Sequence, residues 1–279
     1  MKKILFPTDF SYASDNALAY ALQLAQDWPA ELLVIHSREP SLVKAAAGLG
    51  AFQPEQPGES RAPDLLPHTQ KLISKLLAPN MPPPPMRYLH VLGDPAAEIL
   101  LHAEEQQADM IVMGTHGAGA AQADLLGSVT LEVMAKSEVP VLAVPQEATY
   151  TSINRIAYAT NLGLENKEAV KALLLMAGFL DAEVTCVNVR TTGTFWGAEQ
   201  RKLYEELYNL SQQTSALKYQ VIQGDQLRPV LESFIRDQKP QILAMLAHKR
   251  SSAVTFYRES LTAHMSLYLQ VPVLAFKSK

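Results

Sequence analysis

Residues 113–144 read MGTHGAGAAQADLLGSVTLEVMAKSEVPVLAV, and residues 245–276 read MLAHKRSSAVTFYRESLTAHMSLYLQVPVLAF. Laid together without a gap, ten of the 32 positions are identical; the plainest match is Val139-Pro140-Val141-Leu142-Ala143 against Val271-Pro272-Val273-Leu274-Ala275. Working outward, Gly93-Asp94 stands 20 residues before Met113, and Gly224-Asp225 stands 21 before Met245. Farther upstream, Lys3-Ile4-Leu5-Phe6-Pro7-Thr8-Asp9 faces Arg155-Ile156-Ala157-Tyr158-Ala159-Thr160-Asn161. A repeat of this length is a duplicated domain, not a solenoid of short units. The expected units are residues 1–147 and 151–279, with a polar boundary at 145–153.

Each copy alternates short apolar runs with helical patterns. The runs in the first are 3–6, 32–36, 87–92, 110–113 and 139–144, and in the second 155–159, 183–189, 218–222, 241–246 and 271–276. Near-continuous apolar runs suit strands buried on both faces of a parallel sheet. The spacing predicts helices over 15–26, 64–78, 95–107 and 127–137, then 166–180, 198–213, 228–238 and 260–269. Asp94 followed by Pro95 is a helix-start signal. The fold class is therefore α/β, two tandem doubly wound five-stranded parallel sheets with right-handed crossovers. The last strand of each copy is expected at a sheet edge, where an exposed apolar strand invites aggregation. Pairing the two last strands about a pseudo-twofold axis removes both edges and makes the chain an intrachain pseudo-dimer. Whether two chains pair further as a homodimer is left open.

A net charge of −4 gives no basic surface for nucleic acid. The single cysteine, Cys186, lies in an apolar-alternating run and reads as a buried strand thiol. The N-terminal MKKILFPTDF is too short for a signal peptide, and no apolar run nears the roughly 18 residues that span a bilayer. A cytoplasmic location without membrane attachment is expected. The stretch 39–85, rich in glycine and proline and ending in Pro82-Pro83-Pro84-Pro85, reads as a surface linker with a short extended spacer.

Chemistry is carried by Gly114-Thr115-His116-Gly117, nine residues, then Gly127-Ser128, a loop that follows a strand and opens a helix. Gly114 and Gly117 let backbone approach a ligand with no Cβ in the way. Gly127 and Ser128 begin a helix, whose free amides and positive dipole end favour an anion. Ser128 and Thr130 are expected to add hydroxyl donors. Asp9 lies just past the first strand at the carboxyl edge of the sheet, where open α/β sheets bind ligands. Its carboxylate suits a ribose hydroxyl or Mg²⁺. No lysine occurs from 114 to 130, so this is not a Walker loop.

These motifs resemble the ATP-binding branch of the universal stress protein family, in a tandem, Rossmann-like (adenine nucleotide alpha hydrolase-like) form. The G-x2-G-x9-G-[S/T] spacing of that branch is met at Gly114, Gly117, Gly127 and Ser128, and its early aspartate at Asp9 within Pro7-Thr8-Asp9. The resemblance implies ATP as ligand, with Mg²⁺ carried through the nucleotide near Asp9. It also implies contacts from Met113, His116, Val129 and Thr130, and a backbone contact to adenine at Ser37. The family often has Val at that last position. Paired domains meeting along their last strands are implied as well.

The second copy lacks the signature. Leu246 faces Gly114, Lys249 faces Gly117, Glu259 faces Gly127 and Asn161 faces Asp9; Ser260 alone persists. Glu259 would compete with phosphate for the helix-start amides. ATP is thus expected in the N-terminal copy only, with Lys249 and Arg250 read as a solvated basic turn. The histidines form no metal-ligand pattern; His116 and His248 occupy equivalent positions and read as structural. Tyr204, Leu207, Tyr208 and Leu210 read as a helix face on the sheet. The expected function is an ATP-binding regulatory or stress-response protein acting on an unknown protein partner. A slow ATPase or phosphotransferase, and a scaffold with a vestigial site, stand as alternatives. No general base or arginine of the kind phosphoryl transfer uses is evident.

Overall fold

The computed structural model describes residues 2–38, 65–77, 81–115, 127–191, 193, 195–247 and 271–277. In chain order they form β1 (Lys3–Pro7), α1 (Tyr12–Asp27), β2 (Glu31–Arg38), α2 (Leu65–Leu76), β3 (Met86–Leu92), α3 (Pro95–Glu105), β4 (Met110–Gly114), α4 (Ser128–Lys136) and β5 (Val141–Val144). The second copy gives β6 (Arg155–Ala159), α5 (Asn166–Leu180), β7 (Glu183–Thr191), α6 (Ala198–Ser211), β8 (Leu217–Gly224), α7 (Leu227–Gln238), β9 (Ile242–Ala247) and β10 (Val273–Lys277). The helix expected over 260–269 and the glycine-rich part of the linker lie outside the described residues.

The strands form one sheet in the order β3-β2-β1-β4-β5-β10-β9-β6-β7-β8. Every neighbouring pair is parallel except β5 and β10, which run antiparallel with Leu142 opposite Leu274. The two halves thus meet through their last strands, as the repeat predicts. The same ladders confirm the ungapped alignment: Gly114 pairs with Val144, and Leu246 with Phe276. Val141, Leu142, Val273 and Leu274 are each at most 1% exposed. At about 1.5–3 kcal/mol per buried side chain, these four contribute roughly 6–12 kcal/mol to the folded chain. Both strands begin two residues later than their apolar runs. Pro140 and Pro272 have no N–H to give a ladder, yet their carbonyls accept from Ile111 and Leu243, at 2.9 Å each.

Helices α1, α2, α5 and α6 cover one face of the sheet, and α3, α4 and α7 the other. Local signals act where expected. The Ser11 side chain accepts from the Ser14 amide to cap α1, and the Asp94 side chain accepts from the Ala97 amide to cap α3. Cys186 is buried in β7, and desolvation pushes its thiol up to about 12, so it is inert. Among the described residues no helix is long and apolar enough to cross a membrane.

The segment joining the copies departs from a plain polar boundary. It lies along α1 as a strap: Ala148 and Ile153 are buried, and Asn16 Nδ2 donates to the Pro145 and Ala148 carbonyls at 2.9 and 2.8 Å. Tyr150 meets Tyr20 edge-on, with ring centroids 5.0 Å apart, and its hydroxyl donates to Asp27. The proline run is likewise fastened, since the Leu32 amide donates to the Pro85 carbonyl and so starts the β2–β3 ladder.

Candidate functional site

Strand order places β1 between β2 and β4, so the chain leaves β1 toward one face and β4 toward the other. This is the switch point at which open α/β sheets form a crevice. Pro7, Thr8 and Asp9 leave β1 there, Ser37 ends β2, and Met113 and Gly114 end β4. Gly127 through Thr130 begin α4. The structure therefore gathers most of the predicted residues at one edge. His116 and Gly117 lie outside the described residues.

The turn after β1 is built by side chains. The Asp9 carboxylate accepts from the Ser11 amide at 3.0 Å, and the Thr8 hydroxyl accepts from the Phe10 amide at 3.1 Å. Phe10 takes a left-handed conformation, φ 62°. His36 Nδ1 stands 2.7 Å from the Thr8 carbonyl; a carbonyl only accepts, so that nitrogen carries the proton. Phe10 lies against the His36 ring, at 4.6 Å between centroids. Asp9 stays exposed at the rim. In the β2 ladder alternate residues bond to alternate sides: Thr8 donates to Ile35 on one side, and Arg38 accepts from Gly93 on the other. That alternation turns the backbone of Ser37 toward β1, which has already ended at Pro7. The Ser37 hydroxyl is spent on the Gly93 carbonyl at 2.9 Å.

Across the crevice, β4 ends against the first turn of α1. A Cβ on Gly114 would stand 2.8 Å from the carbonyl carbon and oxygen of Ala13, a backbone collision. Glycine is required there by close approach. Helix α4 begins with Gly127 in an extended conformation and no side-chain cap, so its positive end is left to other partners. Two expected donors are not available to a ligand. The Thr130 hydroxyl is buried and donates to the Gly114 carbonyl at 2.9 Å. The Gly127 amide donates to the Thr115 carbonyl at 2.8 Å. Thr130 thus holds the loop ends together, and the hydroxyl at the surface is that of Ser128.

The second copy repeats the turn with other side chains. Leu162 takes φ 63° and its amide donates to the Thr160 hydroxyl, while Asn188 Nδ2 donates to the Thr160 carbonyl at 2.8 Å. Asn188 does the work of His36. Asn161, in place of Asp9, accepts from Gly163 and from Asn166 Nδ2, at 3.0 and 2.8 Å. Gln200 reaches over from α6: its Nε2 donates to the Asn161 carbonyl at 3.0 Å, and its Oε1 accepts from the Gly197 amide. Leu246 fills the place of Gly114 and is buried in the core. Residues 164–165, equivalent to the first two residues of α1, form a turn, and helix α5 starts only at Asn166. Sequence reasoning missed His36, Asn188 and Gln200. The first two were findable, because both copies place a side-chain donor at that position; Gln200 acts across 39 residues and left no local signal.

A profile of the universal stress protein family matches residues 1–145. The chain belongs to that family. A universal stress protein of Methanocaldococcus jannaschii is 32% identical over 161 residues, covering 52% of this chain and 96% of the relative. One of Thermus aquaticus is 35% identical over 146 residues, covering 51% and 98%. These relatives are matched nearly end to end by about half of this chain. The whole fold is found in a universal stress protein structure from Archaeoglobus fulgidus, with TM-score 0.75 and 18% identity over 99% of this chain and 98% of that one. A functionally unknown protein of Pseudomonas aeruginosa gives TM-score 0.62 at 14% identity, over 100% and 93%.

Proposed function

We propose that this universal stress protein is a cytoplasmic regulatory protein that binds one ATP per chain, in a unit spanning 1–147, while the unit 151–279 serves as a paired copy without nucleotide. The observation that supports this best is Gly114: its missing side chain lets β4 meet the backbone of α1, beside an uncapped α4 terminus and an exposed Asp9. Amides of Ser128 and Val129, the Ser128 hydroxyl and the backbone of Gly117 would hold the phosphates. The Asp9 carboxylate would take a ribose hydroxyl or Mg²⁺, and the backbone of Ser37 would meet the base. Bound Mg²⁺ would offset phosphate charge that no lysine between 114 and 130 balances.

The asymmetry has a physical basis in the same features. Asn161 has no charge to offer and is tied to Asn166, and Leu246 occupies the space that a backbone approach needs. A thermal melt with and without Mg-ATP tests the proposal, because a ligand that binds only the folded state raises the midpoint. A shift without phosphate release is expected, and Gly117→Asp is expected to abolish it. Release of phosphate in a single turnover would point instead to the slow ATPase, and no shift in the native chain would leave a scaffold.

A further inference from the structure

Helix α5 carries an outward stripe at helical spacing: Glu168, Lys171, Leu175, Gly178 and Phe179, all exposed. Leu175 is 70% exposed and Phe179 58%. The first copy offers the comparison. Its matching positions on α1 are Asn16, Ala19, Gln23, Gln26 and Asp27, so Leu175 and Phe179 stand where the first copy has Gln23 and Asp27, and the strap 145–153 engages Asn16 and Asp27. At these two positions the second copy has apolar side chains where the first has polar ones, and both are largely exposed. Phe179 also lies edge-on to Trp28, which ends α1, at 6.5 Å between centroids, so the stripe runs into a contact between the two halves of the chain. Gly178 is a helix-interior glycine, a poor helix former, and a Cβ added there meets nothing within 4 Å. The protein's own packing does not explain it; a close neighbour would.

We propose that this face pairs with α5 of a second copy of the chain, antiparallel about a twofold axis between Leu175 and Gly178. Leu175 of each copy then sits in the notch over Gly178 of the other, with Phe179 alongside. The antiparallel arrangement opposes the helix dipoles. It also brings Lys171, which pairs with Glu168 of its own helix at 2.7 Å, within reach of Asp181 of the other copy, the exposed left-handed residue that ends the helix. Both contacts occur twice, as a twofold interface requires. A single helix pair is below the usual size of a permanent interface, so the dimer is a reversible one. This pairing does not depend on nucleotide.

Sedimentation velocity of the full chain across the micromolar range tests it, with thermal melting as a fold control. The native chain is expected to show a concentration-dependent monomer–dimer equilibrium. Leu175→Glu is expected to weaken it about a hundred-fold or more, the charge being counted twice, with an unchanged melt. Gly178→Leu is expected to weaken it about ten-fold while the melting point holds or rises. Lys171→Asp should weaken it, and adding Asp181→Lys should restore it; lysine is at home in that backbone conformation, since Lys239 ends α7 the same way. A native chain that stays monomeric at the highest concentration overturns the proposal, as does a dimer untouched by Leu175→Glu. Failure of the charge swap to restore pairing overturns the antiparallel register.

Discussion

The turns at Thr8-Asp9-Phe10 and Thr160-Asn161-Leu162 share a backbone and differ in what they expose. Both place the third residue at φ 62–63° and bind the threonine carbonyl through a donor from the next strand, His36 or Asn188. The first leaves a carboxylate at the rim beside a glycine on β4. The second, equally exposed, ties its carboxamide to Asn166, binds its backbone carbonyl to Gln200 and sets Leu246 behind the turn. The fold is thus kept by one set of residues and the candidate chemistry by another, and the two copies share the first set and differ in the second. Each of the following tests presses on that separation.

The largest effect is expected at the seam, which both copies need. Leu142→Asp buries an unpaired charge opposite Leu274 and should cost about 4 kcal/mol or more. Urea denaturation reads it; a small loss would show that the halves do not rely on the shared sheet. Next is Gly114→Leu, which gives the first copy the residue of the second. Its Cβ would collide with the Ala13 carbonyl, and the expected cost is about 1–3 kcal/mol together with loss of any Mg-ATP shift. If the variant is as stable as the native chain, the close approach is not a constraint.

Thr130→Val leaves the buried Gly114 carbonyl without its donor, at about 1–2 kcal/mol. A neutral result would mean that water replaces the hydroxyl. Smaller still in the fold is Asp9→Asn, within about 0.5 kcal/mol, because the carboxamide oxygen still accepts from Ser11. Mg-ATP affinity should nonetheless fall about ten-fold, whereas Asn161→Asp should create no second site. Least near neutral pH, though not in strong alkali, is the effect of the Cys186 thiol. Burial raises the Cys186 thiol, so its contribution to stability is complete below the ordinary thiol pKa and drains as pH climbs toward about 12. Stability should be flat near neutrality and fall above about pH 9, and Cys186→Ala should flatten the first part of that fall.

Much of this was legible in the residues themselves. Asp94-Pro95 announces α3 because a cap acts within one turn, and the two VPVLA segments announce the seam because an apolar edge strand needs a partner. Gly114 announces a strand end that needs bare backbone, because a Cβ there would meet Ala13. What stayed hidden depends on distance in the chain. Thr130 looks like a donor for a ligand until the fold turns it inward onto Gly114, 16 residues away. The polar linker at 145–153 hides its role until Asn16 and Tyr20 are brought beneath it. Gln200 reaches the Asn161 carbonyl only because α6 packs next to the turn.

The central claim is that one copy binds and its twin does not, and the stoichiometry of Mg-ATP on the intact chain tests it most directly. Isothermal titration should give one nucleotide per chain, lost in Gly114→Leu and kept in Asn161→Asp. Two nucleotides per chain, or one that survives Gly114→Leu, would contradict the account.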